Sequence, residues 1–268
     1  MIKIIVLTDI HITSEGTDII DINPLERFKA VYNAAQRDHP DAALTILMGD
    51  LTHHGKSDQY QRLKGYLDTT KIPIIPMIGN HDIRENFQET FTDAPRNHAG
   101  FIQHIIDLPH HRLITLDTKH GPFGHHAGRL CPQRIAWLKA ALAGAEGRIP
   151  LIFMHHPPFK TGIVGMDNIN LSNGDEVLDI IAQYPSAHLF CGHIHRTISG
   201  STRNVAWTMF KSPCHQGVLD LHDPDSSLSV DEHGAYGLLL LTPDGVIAHS
   251  QDVGFTHEIQ RDTGSVTH

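Results

Sequence analysis

The stretch IKIIVLTDIH, from Ile2 to His11, decides the fold. It begins as a β-branched apolar run and passes directly into an aspartate and a histidine. Such a run predicts a strand that is buried on both faces, as the strands of parallel sheets are. Asp9 and His11 then follow the strand end, where α/β sheets form their binding crevice. Read as extended chain, their spacing places both side chains on one face, where they can reach the same cation.

Four further blocks carry metal-type ligands in a fixed chain order. They are Gly49-Asp50, Gly79-Asn80-His81-Asp82, His155-His156 and Gly192-His193-Ile194-His195. Together the blocks supply carboxylates, an amide oxygen and several imidazoles, and no thiolate. This set can hold two divalent cations that share one carboxylate, which is a common arrangement for splitting phosphate esters. The ligand types favour iron, manganese, cobalt or zinc without choosing among them.

Between the blocks, strand and helix patterns alternate. The predicted strands of this part are Ile2–Leu7, Leu44–Met48, Ile72–Ile78, Leu113–Leu116, Leu151–Met154 and His188–Phe190. Helices are predicted to begin at Asn23-Pro24 and at Ser57-Asp58, and to span Pro132–Leu142 and Gly174–Gln183. The last part resembles a β-meander with a long polar loop between Leu221 and Tyr236, and its predicted strands are Trp207–Phe210, Val218–Leu221, Tyr236–Leu241 and Val246–His249.

These patterns predict an α/β fold with four layers. We expect an α-β-β-α sandwich of two packed mixed β-sheets flanked by helices, with the metal site at the C-terminal ends of the strands. Residues 1–255 are predicted to form a single domain, with a β-rich C-terminal portion at about 205–255. A tail is predicted over residues 256–268.

Composition excludes several classes of protein. A formal net charge of −9 disfavours a protein that binds duplex nucleic acid, which needs a basic surface. No apolar stretch reaches the length of a membrane span, and no signal-peptide pattern precedes Asp9, so we expect a cytoplasmic protein without membrane attachment. The three cysteines form no metal-type pair and fit a reducing compartment. The 23 histidines exceed ordinary usage, and only some of them fall in the blocks.

The ordered blocks resemble the calcineurin-like metallophosphoesterase superfamily. The stretches LTDIHI, GDLTHHG, GNHD, MHHPPF and CGHIHR carry the resemblance, which covers residues 2 to about 220. Within the superfamily the chain resembles class III cyclic nucleotide phosphodiesterases and bacterial glycerophosphodiesterases. The stretch GMDNINLSNGDEVLDII is typical of that group. The resemblance implies hydrolysis of small phosphodiesters, such as 3′,5′-cyclic nucleotides or glycerophosphodiesters, by a metal-bound hydroxide that attacks phosphorus.

The resemblance also implies roles for single residues. A first metal would be held by Asp9, His11, Asp50 and His195, and a second by Asp50, Asn80, His155 and His193. Both metals are expected to be iron or manganese, with zinc or cobalt as alternatives. His81 would act on the substrate phosphate as the catalytic residue. His126 and His215 are expected to line the substrate cleft.

The remaining polar residues of the blocks are given lesser roles. Asp82 is expected to orient a neighbour, and His156 need not be a ligand. His53 and His54 are expected in an exposed loop. Arg196 could contact phosphate. With few fixed cations near the metals, the site is predicted to prefer diesters over doubly charged monoesters.

Two other functions stay open at this point, and so does the assembly state. The same scaffold could carry a phosphomonoesterase or nucleotidase, or a non-catalytic metal-binding interaction module. The presence of His81 and all seven expected ligands disfavours the module, and the net charge disfavours a nuclease. A homodimer or higher homo-oligomer is expected, with the segment between Phe87 and Pro109 as its candidate interface.

Overall fold

The computed structural model describes residues 1–254, and the predicted tail over 256–268 lies outside the described residues. Its strands are β1 (Ile2–Leu7), β2 (Leu44–Met48), β3 (Ile74–Met77), β4 (His104–Asp107), β5 (His111–Leu116), β6 (Ile149–Met154), β7 (His188–Cys191), β8 (Ile198–Thr202), β9 (Val205–Met209), β10 (Gln216–Gly217), β11 (Ser229–Val230), β12 (Ala235–Thr242) and β13 (Gly245–Asp252). Its helices are α1 (Pro24–Asp38), α2 (Ser57–Leu67), α3 (Arg84–Thr90), α4 (Pro132–Ala143), α5 (Val164–Asp167) and α6 (Gly174–Ile181). None of these helices is both long and apolar enough to cross a membrane.

Two large sheets organise the molecule. The first has the order β13-β12-β1-β2-β3, and the second has the order β4-β5-β6-β7-β9-β8. In the first sheet β1, β2 and β3 run parallel, and in the second β5, β6, β7 and β9 do, whereas β12, β13, β4 and β8 pair antiparallel with their neighbours. Both sheets are therefore mixed, and the parallel strands of each end at one edge.

Three apolar cores separate four layers. In β1, Ile4 and Val6 face the core between the sheets, whereas Ile5 and Leu7 face α1 and α2. This division follows from the alternation of side chains along a strand. A third core lies between the second sheet and helices α4 and α6. The predicted fold of two packed mixed sheets flanked by helices is confirmed.

The helix starts show how local chemistry sets the elements. The side chain of Asn23 accepts a hydrogen bond from the Glu26 backbone N–H at 3.2 Å, and Pro24 occupies the first helical position, as predicted for α1. Such a cap typically contributes about 1 kcal/mol. Helix α2 begins at Ser57 as predicted, but the capping role expected for Ser57-Asp58 is wrong, because Ser57 is already helical and Lys56 occupies the capping position.

The C-terminal third differs from the predicted meander. Strand β9 joins the second sheet in parallel with β7, whereas β12 and β13 complete the first sheet, so this third contributes to both layers. The strand predicted at Val218–Leu221 is absent, and only Gln216–Gly217 pairs with Ser229–Val230. Leu219 and Leu221 are 63% and 50% exposed, so the apolar side chains of this segment do not pack against either sheet. Helix α3 and the edge strands β4 and β8 were not predicted.

Candidate metal centre

The carboxyl ends of strands from both sheets meet at one place. Asp9 follows β1 and Asp50 follows β2, while His155 follows β6. Backbone hydrogen bonds join these ends: the Asp9 N–H donates to the Gly49 carbonyl at 3.0 Å, and the Gly192 N–H donates to the His155 carbonyl at 3.0 Å. The sandwich therefore brings together blocks that are far apart in the sequence.

The backbone turns sharply where the predicted ligands lie. Five of them have positive φ angles, which ordinary residues rarely adopt: Asp9 (56°), His11 (53°), Asp50 (46°), His193 (73°) and His195 (54°). The extended-chain argument for Asp9 and His11 is therefore wrong, because left-handed turns rather than strand pleating bring both side chains to the site. Each such residue typically costs on the order of 1–3 kcal/mol, and such strain concentrates at functional sites.

The seven predicted ligands lie close together, and the Asp50 carboxylate has imidazoles on two sides. On one side, His11 Nε2 lies 3.0 Å from His195 Nε2 and 3.7 Å from Asp50 Oδ2. On the other side, His155 Nε2 lies 3.2 Å from Asp50 Oδ2 and 3.1 Å from Asn80 Oδ1. Asp9 Oδ1 lies 3.4 Å from His195 Nε2, and the backbone N–H of His193 donates to the Asp9 carboxylate.

The hydrogen bonds of the imidazoles leave one nitrogen of each ring for the site. His155 Nδ1 lies 3.1 Å from the Met48 carbonyl, and His195 Nδ1 lies 3.0 Å from the His215 carbonyl. A carbonyl only accepts, so in each ring Nδ1 is the donor and Nε2 is the nitrogen that faces the site. His193 Nε2 is buried and has no hydrogen-bond partner among residues 1–254. A buried nitrogen without a partner near the carboxylates of Asp50 and Asp9 is chemically suited to bind a cation.

The electrostatics of the site also suit a cation. Burial, together with the charge of His155, lowers the pKa of His193 to about 3. For Asp50, burial alone would raise the pKa, but His155 and His81 outweigh it and hold the pKa well below the usual value. Burial lowers the pKa of His155, yet the carboxylates of Asp50 and Asp9 outweigh it and raise the pKa to about 9. Ionised carboxylates and neutral imidazoles are the forms that bind metal, so a cation beside His155 would displace the proton that the carboxylates hold there.

Gly79 lets the ligand-bearing turns approach each other. A Cβ at this position would collide with the Asp50 carboxylate and lie 2.7 Å from His155 Nε2. Asp82 then fixes the turn, because its carboxylate accepts hydrogen bonds from the Gly79 N–H at 2.8 Å and from the Tyr60 hydroxyl at 2.8 Å. Asp82 thus orients neighbours, as expected from the sequence.

Two residues that support the site, His156 and Lys119, were not equally predictable from the sequence. His156 has both ring nitrogens occupied, by the Thr118 hydroxyl at 2.7 Å and the His126 carbonyl at 3.0 Å, so it offers no free nitrogen to a metal. Lys119, only 5% exposed, donates to the Asn80 carbonyl at 2.9 Å and was missed. An available signal was the short apolar strand that ends at Asp117, two residues before it.

A cavity of about 570 Å³ is lined by five of the seven predicted ligands, and its walls include His81, His126 and His215. His81 Nδ1 lies 2.8 Å from the His53 carbonyl and must donate to it, which leaves Nε2 for the cavity. The backbone N–H of His81 donates to Asp50 Oδ1 at 2.8 Å.

The prediction of an exposed loop at His53 and His54 is wrong. Both are half-buried, and His53 lines the cavity. Its ring stacks on that of His81 with centroids 5.3 Å apart, and its Nδ1 lies 3.3 Å from His11 Nδ1. The turn after β2 folds this segment back over the site. The polar sequence of the loop does not predict this fold-back.

The basic residues of the blocks are engaged elsewhere. Arg196 donates to the Gly217 carbonyl at 2.7 Å and pairs with Glu232 at 3.6 Å, so it holds a neighbouring loop rather than the cavity floor. Lys160 is exposed and borders a different groove. Within the described part of the chain, no lysine or arginine lines the cavity.

The family model of the calcineurin-like phosphoesterases matches residues 2–197. The chain belongs to this family. Membership implies divalent metal ions, and this phosphoesterase has buried groups of His and Asp side chains that could hold them.

Curated relatives match nearly the whole chain. A "probable cyclic nucleotide phosphodiesterase" of Rhodopseudomonas palustris is 38% identical over 92% of this chain and 91% of its own. A "probable glycerophosphodiester phosphodiesterase" of Arcobacter nitrofigilis is 31% identical over 94% and 93%. The 3′,5′-cyclic adenosine monophosphate phosphodiesterase of Escherichia coli K12 is 27% identical over 83% and 82%.

Solved structures agree on the fold. A dimetal phosphatase from Danio rerio superposes on this phosphoesterase with a TM-score of 0.70 over 94% of this chain and 96% of the other, at 13% identity. At that identity the likeness concerns the arrangement of sheets and helices only.

Proposed function

We propose that this phosphoesterase hydrolyses small phosphodiesters with two divalent metal ions that share Asp50. The observation that carries the proposal is the position of the Asp50 carboxylate between two groups of buried ligand atoms. The names of the curated relatives support diesters, either cyclic nucleotides or glycerophosphodiesters.

Each proposed ion has its own ligand set. Asp9, His11, Asp50 and His195 would hold the first, and Asp50, Asn80, His155 and His193 would hold the second. The orphaned Nε2 of His193 supports the second site most directly. We expect iron or manganese, with zinc or cobalt as alternatives. When bound, the ions would activate water and draw charge from the phosphate oxygens.

We propose that His81 stabilises charge on the phosphate or protonates the leaving oxygen. The His53 carbonyl fixes the ring by accepting from Nδ1, so a proton held at Nε2 would point into the cavity. From there it can stabilise charge on a phosphate oxygen or pass to the departing oxygen. The Asp50 carboxylate, which accepts from the His81 backbone N–H at 2.8 Å, ties this residue to the proposed ions.

The charges of the cavity support diesters over monoesters. No lysine or arginine is among the described residues of its walls. Burial lowers the pKa of His53 to about 4 and that of His215 to about 3, so these two wall residues carry no charge near pH 7. The loop after Gly217 borders the cavity through Ser226 and Ser229, and it also carries Asp220, Asp223, Asp225, Asp231 and Glu232. Asp231 and Glu232 are offset by Arg27 and Lys211, so it is the charges of Asp220, Asp223 and Asp225 that a doubly charged monoester would meet.

The test compares kcat/KM for bis(p-nitrophenyl) phosphate and p-nitrophenyl phosphate on protein reconstituted with Mn²⁺ at neutral pH. We expect the diester to be preferred. An equal or higher value for the monoester would favour a phosphomonoesterase instead. Failure to turn over either ester with any of the four metals would return the choice to a non-catalytic metal-binding protein.

Assembly and location stay predictions. The segment proposed as an oligomer interface, between Phe87 and Pro109, contains β4, which is an edge strand of the second sheet. Edge strands present unpaired backbone groups that a second copy can use. Light scattering during size-exclusion chromatography measures the mass directly. A cytoplasmic location is likewise predicted and is tested by fractionation of the source cells.

A further inference from the structure

The cavity has two parts that differ in chemistry, the floor and the walls. We call the part lined by the predicted ligands His11, Asp50, Asn80, His193 and His195 the metal-ligand floor. Away from the imidazoles the lining is uncharged, and much of it is apolar: Ile19, Ile20, Met166, Ile169, Ile194 and Leu228. The hydroxyl-bearing residues Ser226, Ser227 and Ser229 complete it. We call Met166, Ile169 and Leu228 together the apolar wall.

The apolar wall is built by two segments that are held together. Gly165 in α5 lies against the loop backbone, since a Cβ there would lie 2.7 Å from the carbonyl carbon of Asp225. The loop is also fixed by ion pairs at its far end, where Arg27 meets Asp231 and Lys211 meets Glu232 at 3.1 Å. The apolar wall is therefore formed before substrate arrives, as binding pockets usually are.

Charged groups find no partner in this lining. Among the described residues it contains no lysine or arginine, and its only carboxylate is Asp50 on the floor. No phenylalanine, tyrosine or tryptophan belongs to it, so it has no aromatic cage for an ammonium group. The nearest loop carboxylates, Asp223 and Asp225, accept backbone hydrogen bonds within the loop at 2.9 and 2.8 Å and do not line the cavity.

We infer that the apolar wall determines specificity by accepting an uncharged substituent with an apolar face and rejecting charged headgroups. This inference rests on the proposed function. A nucleoside meets these requirements, since a base offers a flat apolar face with hydrogen-bonding edges. Glycerophosphoethanolamine does not, because its ammonium group would be desolvated without a counter-charge. A volume of about 570 Å³ also suits a nucleotide better than a short glycerol headgroup.

The test introduces a charge at the apolar wall. Ile169→Asp places a carboxylate on a half-buried wall residue of the α5–α6 segment, and Leu228→Asp does the same from the loop. Ile247→Asp is the matched control, because Ile247 is 49% exposed on β13 and lies outside the cavity. Ile169→Leu keeps the apolar character. Each protein is reconstituted with Mn²⁺ and assayed on 3′,5′-cAMP and on glycerophosphoethanolamine.

We expect the wild-type enzyme to prefer 3′,5′-cAMP. Ile169→Asp and Leu228→Asp should lower the cAMP-to-glycerophosphoethanolamine ratio of kcat/KM by about tenfold or more, chiefly through KM. Ile169→Leu and Ile247→Asp should leave the ratio within about twofold. In a second readout, saturation-transfer NMR should detect adenosine on the metal-free wild-type protein and lose the signal in Ile169→Asp.

A wild-type preference for glycerophosphoethanolamine would overturn the inference, and so would an unchanged ratio in both wall variants. Bis(p-nitrophenyl) phosphate separates this failure from failure of the proposed function. Turnover of that ester by the wild type shows that the diesterase centre works even if the apolar wall selects nothing. No turnover of it with any metal would remove the proposed function itself.

Discussion

The metal-ligand floor and the apolar wall of the same cavity are built in different ways. Ligands of the floor, such as Asp50 and His193, follow closely on parallel strands of both sheets and are almost wholly buried. Residues of the apolar wall, such as Ile169 and Leu228, come from loops and are half-exposed. Rigid elements thus hold the groups that need fixed geometry, whereas loops hold those that choose the substrate.

The comparison predicts that changes on the floor abolish chemistry and that changes on the walls redirect it. The largest effect is expected at Asp50, because it belongs to both ligand groups. Asp50→Ala should release most bound metal and lower kcat by about 10³-fold or more, given the several kcal/mol that metal ions contribute. Metal analysis and diesterase kinetics measure both. Asp41→Ala, an exposed aspartate paired with Lys3, serves as the control. Two tightly bound metals in Asp50→Ala would refute its bridging role.

The next effect is expected at His81, which lies between floor and walls. His81→Ala should keep its metal and lose about 10² to 10⁴ in kcat, as for a positioned general acid. The loss should be greatest for substrates with poor leaving groups. His110→Ala, an exposed histidine, should leave the rate unchanged. Loss of metal rather than rate would make His81 a ligand.

Smaller effects are expected at His126 and His215, which line the cavity beside the floor. Alanine at either position should change the ratio of rates between two diesters by severalfold while metal content holds. His215 contributes its backbone carbonyl to His195, and alanine preserves that contact. If neither variant alters any substrate ratio, both residues leave the substrate-binding set.

The smallest effect is expected at His188, which is buried but does not belong to the metal-ligand floor. Burial lowers the pKa of His188 in β7 to about 4, much as it lowers the pKa of His193, but His188 lies outside the metal groups. Such a group is neutral in the folded protein while the unfolded chain takes up a proton, so stability falls as pH drops from about 6.5 toward 4. His188→Phe should therefore flatten the acid limb of urea midpoints against pH for the metal-free protein. Equal slopes for both proteins would contradict the shift.

Sequence reasoning succeeded where chemistry and topology coincide. The five ordered blocks predicted a shared site because parallel strands present their carboxyl ends at one edge, and the fold brings all seven expected ligands there. The way in which these side chains converge was not predictable from the alternation of side chains along a strand, because Asp9 and His11 have left-handed backbone conformations.

Failures fall in the segments that depend on distant contacts. His53 looked like ordinary loop, yet its position is set by the return of the chain over His81. Lys119 supports Asn80 through a hydrogen bond between residues 39 apart, which no local pattern records. The segment Val218–Leu221 has a strand-like sequence but lies outside both large sheets, and its leucine side chains are exposed. Local pattern is decisive for buried strands and weak for the loops that finish the cavity.

The central claim is that two ions share Asp50. Crystals of the Mn²⁺-reconstituted enzyme, measured at the manganese absorption edge, locate the ions directly. The account predicts two anomalous peaks about 3.5–4 Å apart on either side of the Asp50 carboxylate, one beside His11 and His195 and one beside His155 and His193. A single peak, or a second peak among His11, His53 and His81, which also converge, would contradict it.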